Sequence, residues 1–443
     1  MKFTKMSLVA ALLIGSSAFA IENTKVSGNA KLYYSTTDAL SGYDENVYNK
    51  SAATPRKSGD LFSKDSSAAD IAVNLNVTTD LFKNDTVAIS AGAGYTVLTT
   101  LGLENNLVSG VWGSSHTATG SNSAYGAKVE NANWMTEAWI AATAGKTTVK
   151  LGRMELDTPL VFTEKWSIEK NTFEAVVVVN QDIPDTTLVG AYVGNGNGTT
   201  DGKVALNGTN TRLEVAAAGV VNTDGKFTTY GTDGAYAVGI VNNSVKPLTV
   251  QAWYYDLTRL ATAYWLQADL NMEGILAGAQ YTAQELKASG SDTADTYALM
   301  LGYEMKDVAT IKVAYSDSND KGALTAANTA TSTGASKLYT EAWWNYGYVT
   351  AKDTTAWNVA VEGKAAGIDL GAYYTQADQG TSNGAKDIDM KEFTVTAGKS
   401  FGPLDATVAY IYTKADDQND NTNDGIVNGE AYNMIQAYLT LNF

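Results

Sequence analysis

The sequence has no cysteine, one histidine, four arginines and five prolines in 443 residues. Without cysteine there is no disulfide framework, no thiol chemistry and no thiolate metal site, so an exported chain of this size must draw its stability from one large cooperative structure. The sole histidine, His116, stands in a Gly/Ser-rich stretch, which gives little support to a Ser-His-Asp triad or a multi-histidine metal centre. No glycine-rich phosphate loop follows a strand and opens a helix, and the reading is of a protein that is not an enzyme. Long apolar runs are missing as well: after Ala20, Gly, Thr, Asn or a charge interrupts every stretch before it reaches the roughly 18–20 residues of a membrane helix.

Basic residues are scarce. Lys2 and Lys5 belong to a leader, and without them 29 basic residues stand against 47 acidic ones, a formal charge of −18. Nucleic acid is therefore excluded as a partner, because phosphate binding needs a basic face. The leader itself has three parts: the two lysines, an apolar stretch from Leu8 to Ile14, and small residues ending Ala18-Phe19-Ala20. That is the layout of a cleaved secretory signal over residues 1–20, leaving residues 21–443 as the exported domain.

What the chain has in abundance is glycine (40), tyrosine (25) and period-two alternation. At the C-terminus Ile435, Ala437, Leu439, Leu441 and Phe443 share one face, while Gln436, Tyr438, Thr440 and Asn442 share the other. Similar ribbons recur around Ile71–Thr78, Tyr297–Glu304, Trp357–Glu362 and Glu392–Ala397. Alternation alone does not say whether the apolar face meets a protein core or lipid.

Connection lengths discriminate better. Short connections are expected at 80–85, 144–146, 181–185, 243–247, 306–307, 363–367 and 400–403. Long polar ones fall at 36–67, 99–131, 194–233, 316–353 and 415–429. Short turns on one side and long loops on the other predict an all-β fold: a transmembrane antiparallel up-and-down β-barrel of about eighteen strands, with sixteen as the other count. The turns would be periplasmic, the loops extracellular, and the location a bacterial outer membrane. All five prolines fall in the expected turns and loops, as a closed ladder requires.

If the apolar face meets lipid, the opposite face lines water. Its candidate pore-lining charges are Glu137, Lys150, Glu174, Glu304, Glu362, Asp369 and Glu392, an acidic excess that favours cations. A wide barrel needs an inward loop to narrow it, and residues 153–171, reading RMELDTPLVFTEKWSIEKN, are the best candidate. Arg153, Glu155, Asp157, Glu164, Lys165 and Lys170 supply opposed charges for the constriction. A surface salt-bridge cluster is the other reading of the same residues.

The block from Gly152 through Arg153, Leu156, Asp157, Pro159 and Leu160, on through Asn171-Thr172-Phe173 to Gly190-Ala191-Tyr192, resembles the constricting third loop of the porin D type of outer-membrane channel and of the major outer-membrane porin of Campylobacter and its relatives. The opening strand Lys31-Leu32-Tyr33-Tyr34 is similar too. The ending Leu439, Leu441, Phe443 resembles the signal read by the barrel-assembly machinery. The resemblance implies an eighteen-stranded barrel, a homotrimer in lipid and lipopolysaccharide, and passage of small hydrophilic solutes. It also implies calcium at the constriction, with Glu155 and Asp157 as oxygen ligands. Four arginines and an acidic lumen depart from the basic ladder of some porin D relatives. A diffusion porin, a channel preferring amino acids or small organic acids, and a surface adhesin or structural protein are the functions open at this point.

Overall fold

The computed structural model describes residues 23–38, 60–103, 106–108, 117–118, 132–198, 220–222, 225–231, 233–288, 290–321, 326–331, 333–380, 388–416 and 431–443. The leader, His116 and Arg212 lie outside the described residues. Eighteen long strands form the wall. The first nine are β1 (Lys25–Thr37), β2 (Ser67–Lys83), β3 (Val87–Thr99), β4 (Ala132–Ala144), β5 (Thr147–Met154), β6 (Phe173–Asn180), β7 (Thr186–Gly196), β8 (Ala235–Asn242) and β9 (Leu248–Leu257). The second nine are β10 (Ala261–Met272), β11 (Ile275–Leu286), β12 (Ala294–Met305), β13 (Ala309–Ser318), β14 (Thr354–Ala365), β15 (Ile368–Gln379), β16 (Ile388–Phe401), β17 (Leu404–Asp416) and β18 (Tyr432–Asn442).

Each strand pairs antiparallel with the next, and β1 closes the ring on β18 with Tyr33 opposite Tyr438. The even count brings both ends of the barrel to the short-turn side. There the Gly28 N–H donates to the Phe443 carbonyl (2.8 Å) and the Phe443 N–H to the Gly28 carbonyl (3.0 Å). Gly28 has a steric reason to be glycine: a Cβ would sit 2.3 Å from the Asn74 carbonyl oxygen and 2.7 Å from the Phe443 ring.

The expected turns are mostly in place, with local differences. β2 runs on to Lys83 past a bulge at Asp80/Phe82, so its turn is only residues 84–86; Asn84 Oδ1 holds it by accepting from the N–H groups of Thr86 and Val87. Glu273-Gly274 makes an eighth short turn that composition did not reveal. Both residues have positive φ (50° and 88°), the signature of a tight primed hairpin turn. At the other end β9 and β10 are joined through Thr258-Arg259-Leu260 alone, so not every outer connection is long.

Alternation now acquires a direction. Leu301 is 69% exposed, and Leu299, Val313, Val238, Leu75 and Leu441 also face outward with large exposed areas. Asn74, Gln280, Thr296, Ser316, Thr375, Thr394 and Gln436 point inward and are buried. A continuous exposed apolar band around a polar interior is the reverse of a water-soluble sandwich and fits a wall whose outer solvent is hydrocarbon. Closure answers the same requirement, since lipid offers no partner to a free strand edge. Outward rings pair across strands at the band's edge, as Tyr254 with Tyr264 (5.2 Å) and Trp357 with Tyr374 (4.8 Å). The fold is thus a closed eighteen-stranded transmembrane barrel of the bacterial outer-membrane kind.

Leu299 lies between the outward rings of Tyr297 and Tyr303 on β12. Leu299→Arg should cost about 2–4 kcal/mol of stability in a bilayer, whereas Met300→Arg, on the inward face, should cost far less. Denaturant unfolding in lipid vesicles measures the contrast, and equal losses for the two variants would contradict the outward assignment.

Candidate functional site: a lumen narrowed by two inward loops

The loop of residues 155–172, between β5 and β6, folds into the barrel. Leu156, Leu160, Val161 and Ile168 are buried, and the loop backbone turns back on itself through Thr163 N–H to Leu156 O (2.8 Å). It does not act alone. Residues 326–331 and 333–351 of the connection between β13 and β14 also lie inside and are sewn to the first loop. Thr329 N–H donates to Leu160 O (2.9 Å), Asn328 Nδ2 to Phe162 O (2.9 Å), and Trp344 meets Trp166 edge-on at 5.2 Å. The wall anchors the second loop at several points. Gln280 Nε2 donates to Lys337 O (2.8 Å), Tyr339 Oη to Asp269 (2.6 Å), and the backbone N–H groups of Trp344 and Asn345 to Glu392 (2.9 and 2.8 Å). Between the loops and the β5–β10 wall lies an apolar core that includes Phe173, Val177, Val189, Trp253, Tyr255 and Trp265.

The expected constriction residues separate into four sets. Glu155, Lys165 and Lys170 come together: Glu155 pairs with both lysines, and Lys170 also pairs with Glu137 on β4 (2.8 Å). Lys150 on β5 stacks over the Trp139 ring at 4.1 Å, and Lys31 on β1 donates to Ile168 O (3.0 Å). Burial opposes ionisation of Glu155, but Lys170 and Lys165 outweigh it and hold the carboxyl down to about 2. Burial alone would likewise lower Lys170; Glu155 and Glu137 reverse this and keep its ammonium above the ordinary range. Asp157 belongs elsewhere, paired with Lys337 of the second loop. Glu155 and Asp157, the expected calcium ligands, thus engage different lysines, and no metal-competent group of three His, Cys, Asp or Glu occurs among the described residues.

Four expectations need correction. Arg153 and Glu174 are not in the lumen. Alternation puts them on the side of exposed Leu151 and Val176, opposite buried Met154, Phe173 and Ala175; they pair with each other (2.8 Å), and Arg153 lies over Phe227. Glu164 and Glu392 do lie inside the barrel but are sealed from its water. Glu164 accepts from Thr333 Oγ1 (2.7 Å), Asn328 Nδ2 (2.9 Å), Trp166 Nε1 (2.8 Å) and Thr331, and Glu392 from the second loop and Thr394. Both are pegs for loops: their partners are neutral donors, with no lysine among them.

The remaining acidic residues line the opposite arc near the short-turn end. Tyr373 Oη donates to Glu362 (2.9 Å), Asp369 pairs with Lys364 (3.2 Å), and Glu304 faces inward on β12. Lys150 on β5 and Glu362 on β14 are nine strands apart in a ring of eighteen, each three residues in from the short-turn end of its strand. An arc bearing Lys31, Lys150, Lys165 and Lys170 among Glu137 and Glu155 therefore faces an acidic arc in which Asp269, Glu304, Glu362 and Asp369 outnumber the inward Lys312 and Lys364.

Sequence reasoning missed the second loop. Its signal was present in residues 338–350, LYTEAWWNYGYVT, which carry too many rings for a solvated external loop. Enclosed in that loop, Glu341 has its carboxyl pushed up to about 8 by burial, against the opposing Ser336 hydroxyl and Ala342 N–H.

No family model matches the chain, and no curated protein matches it in sequence. Solved structures do. The chain superposes on OpdK of Pseudomonas aeruginosa, solved with vanillate, at TM-score 0.67 and 12% identity, covering 96% of this chain and 99% of that one. OccK9 (OpdG) of P. aeruginosa gives 0.69 at 12%, covering 96% and 99%, and OccAB3 of Acinetobacter baumannii 0.67 at 14%, covering 96% and 100%. At such identity the shared feature is the barrel fold along nearly the whole of each chain.

Two pH effects follow. Glu155 has a lowered value when folded, so its contribution is complete above its unfolded value near 4.5 and is lost as pH falls through about 2. Glu155→Gln should cost about 2–3 kcal/mol at neutral pH and speed amide exchange across residues 155–172; unchanged exchange would contradict the hub. Glu341 has a raised value, so its contribution declines as pH rises from about 4.5 and levels off above about 8. Glu341→Gln should flatten the loss of thermal stability between pH 6 and 9, and a wild-type-like slope would show that another group titrates there.

Proposed function

We propose that this protein is an outer-membrane porin: a water-filled channel through which small hydrophilic solutes and ions diffuse passively, with a preference for cations. The observation that carries the reading is the reversed polarity of the closed wall, apolar outside and polar within. Its narrow section is the Glu155–Lys165–Lys170–Glu137 hub facing the acidic arc, and the excess of carboxylates on that arc supports the cation preference. The narrower likeness to the Campylobacter porin rests on the block from Gly152 to Tyr192, while the structural neighbours named above come from Pseudomonas and Acinetobacter. Assembly through Leu439, Leu441 and Phe443, which alternate outward at the end of β18 and beyond it, and association as a trimer belong to the same proposal.

A substrate-preferring channel is the second reading, favoured by the two loops that fill part of the lumen. One structural neighbour is solved with vanillate, an aromatic carboxylate, and Lys150 and Lys170 could meet such a group here.

Planar-bilayer recording under a salt gradient tests the proposal. Discrete conductance with a reversal potential of cation-selective sign is expected, the selectivity weakening as salt screens the wall. Glu362→Gln together with Asp369→Asn should move the reversal potential toward zero. A barrel that inserts but passes no current would eliminate the channel, and block by vanillate at concentrations where neutral sugars do nothing would favour the second reading.

A further inference from the structure

Trp139, an inward residue of β4, stands between two glycines: its register partner on β3 is Gly92 and on β5 is Gly152. Neither carries a side chain, which leaves room on the wall for an indole. The ring lies directly over Gly92, where a Cβ would come within 2.4 Å of Trp139 Cζ2 and 2.5 Å of Cε2. Its Nε1–H donates to Glu137 Oε2 (3.2 Å), two residues along the same strand, so the indole is fixed by the wall beneath it and at its edge. Lys150 places its ammonium over this ring, 4.1 Å from the centroid.

The surroundings of Lys150 set it apart from the other lysines of its arc. Lys165 and Lys170 share Glu155, and Lys170 also takes Glu137, so two ammonium groups stand against two carboxylates. Lys31 donates to the Ile168 carbonyl. The carboxylates whose charge reaches Lys150 are Glu137 and Glu155, and both are already engaged. Glu155 holds two lysines, while Glu137 holds Lys170 on one oxygen and the indole N–H on the other. Lys150 itself makes no ion pair or hydrogen bond among the described residues. Its partner is a π face, which attracts a cation without cancelling its charge.

We propose that Trp139 is a positioning residue for ion selection: seated between Gly92 and Gly152, it holds Lys150 beside the narrow section as an uncancelled positive charge, which limits the cation preference set by the acidic arc. This role presupposes the ion-conducting channel proposed above. Without the indole, Glu137 Oε2 loses its donor and Lys150 its seat, and the two form an ion pair that cancels the lysine's charge. Trp139→Leu, an exchange of one neutral side chain for another, should therefore change charge selectivity.

The test has two readouts. In the first, the lysines of the purified barrel in detergent micelles are methylated with isotopically labelled formaldehyde, which keeps them cationic, and Lys150 is assigned as the methyl signal missing from Lys150→Gln. A methyl group above an indole is shifted upfield by the ring current. An upfield Lys150 signal is expected in the wild type and in Trp139→Phe, which keeps a π face, and an ordinary one in Trp139→Leu and in Gly92→Ala, whose Cβ would displace the ring. In the second, reversal potentials are recorded in planar bilayers. Trp139→Leu and Lys150→Gln should each raise the cation-to-anion permeability ratio by about twofold, and the double variant should rise no further than Lys150→Gln alone. An unshifted Lys150 signal in the wild type would overturn the proposal. So would an equal rise on Trp139→Leu in the Lys150→Gln background, because the indole would then act through pore shape. A barrel with the upfield signal and no current removes the channel and with it the selectivity role, whereas a conducting barrel without the signal removes the seat alone.

Discussion

Every feature of this molecule depends on one constraint: a β-strand crossing hydrocarbon must have all its backbone N–H and C=O groups bonded to neighbours, because lipid supplies no partner. The chain meets it by closing β18 on β1, and the closure reaches the last residue, where Phe443 exchanges two hydrogen bonds with Gly28. A side chain at position 28 would push the ring of Phe443 aside and strike β2 through the Asn74 carbonyl. Closure also sorts the two faces. Once the outward side chains meet lipid, the inward ones enclose whatever space remains, and a ring of eighteen strands is too wide for wall side chains alone to fill.

Two loops fill it, and their attachment explains why some charges inside the barrel carry no pore chemistry. Glu164 and Glu392 accept from neutral hydroxyls, amides and backbone N–H groups and are buried to within a few per cent. Burying a carboxylate is tolerated only when it is fully bonded, so each fixes one geometry of the loop over it. Glu155 and Asp157 stand beside lysines and remain partly exposed. Charge alone did not distinguish a structural peg from a pore group; the partner does.

The wall was legible because its signal is periodic and local. The end of β18, with Leu439, Leu441 and Phe443 on one side, reads the same from sequence and from structure, and so do most of the short turns. Failures cluster where a second surface intrudes. In β6 both faces are apolar: Val176 and Val178 point outward, while Phe173, Ala175, Val177 and Val179 pack on the inward loops, which blurs the alternation. The second loop was hidden because its length matched an external loop, and only its rings betrayed an interior. Arg153 looked like a constriction residue through its rarity and its neighbours. Strand parity, which residue type does not report, turned it outward with Glu174.

The same parity decides how the barrel divides its charges between two solvents. Outward cations are held at the edge of the apolar band, as with Lys399, whose ammonium stands over the Phe401 ring at 5.4 Å from its centroid. Inward charges stand around the loops and at the short-turn end, on walls nine strands apart. Between those walls the loops displace water, and a lower dielectric strengthens the interactions among the charges that remain. A long flexible loop in water would lose this advantage to screening. By fixing the loops, the buried pegs hold Lys165, Lys170 and Lys337 at set positions relative to the acidic arc, and a loop freed from Glu164 or Glu392 would carry the same charges without the same arrangement.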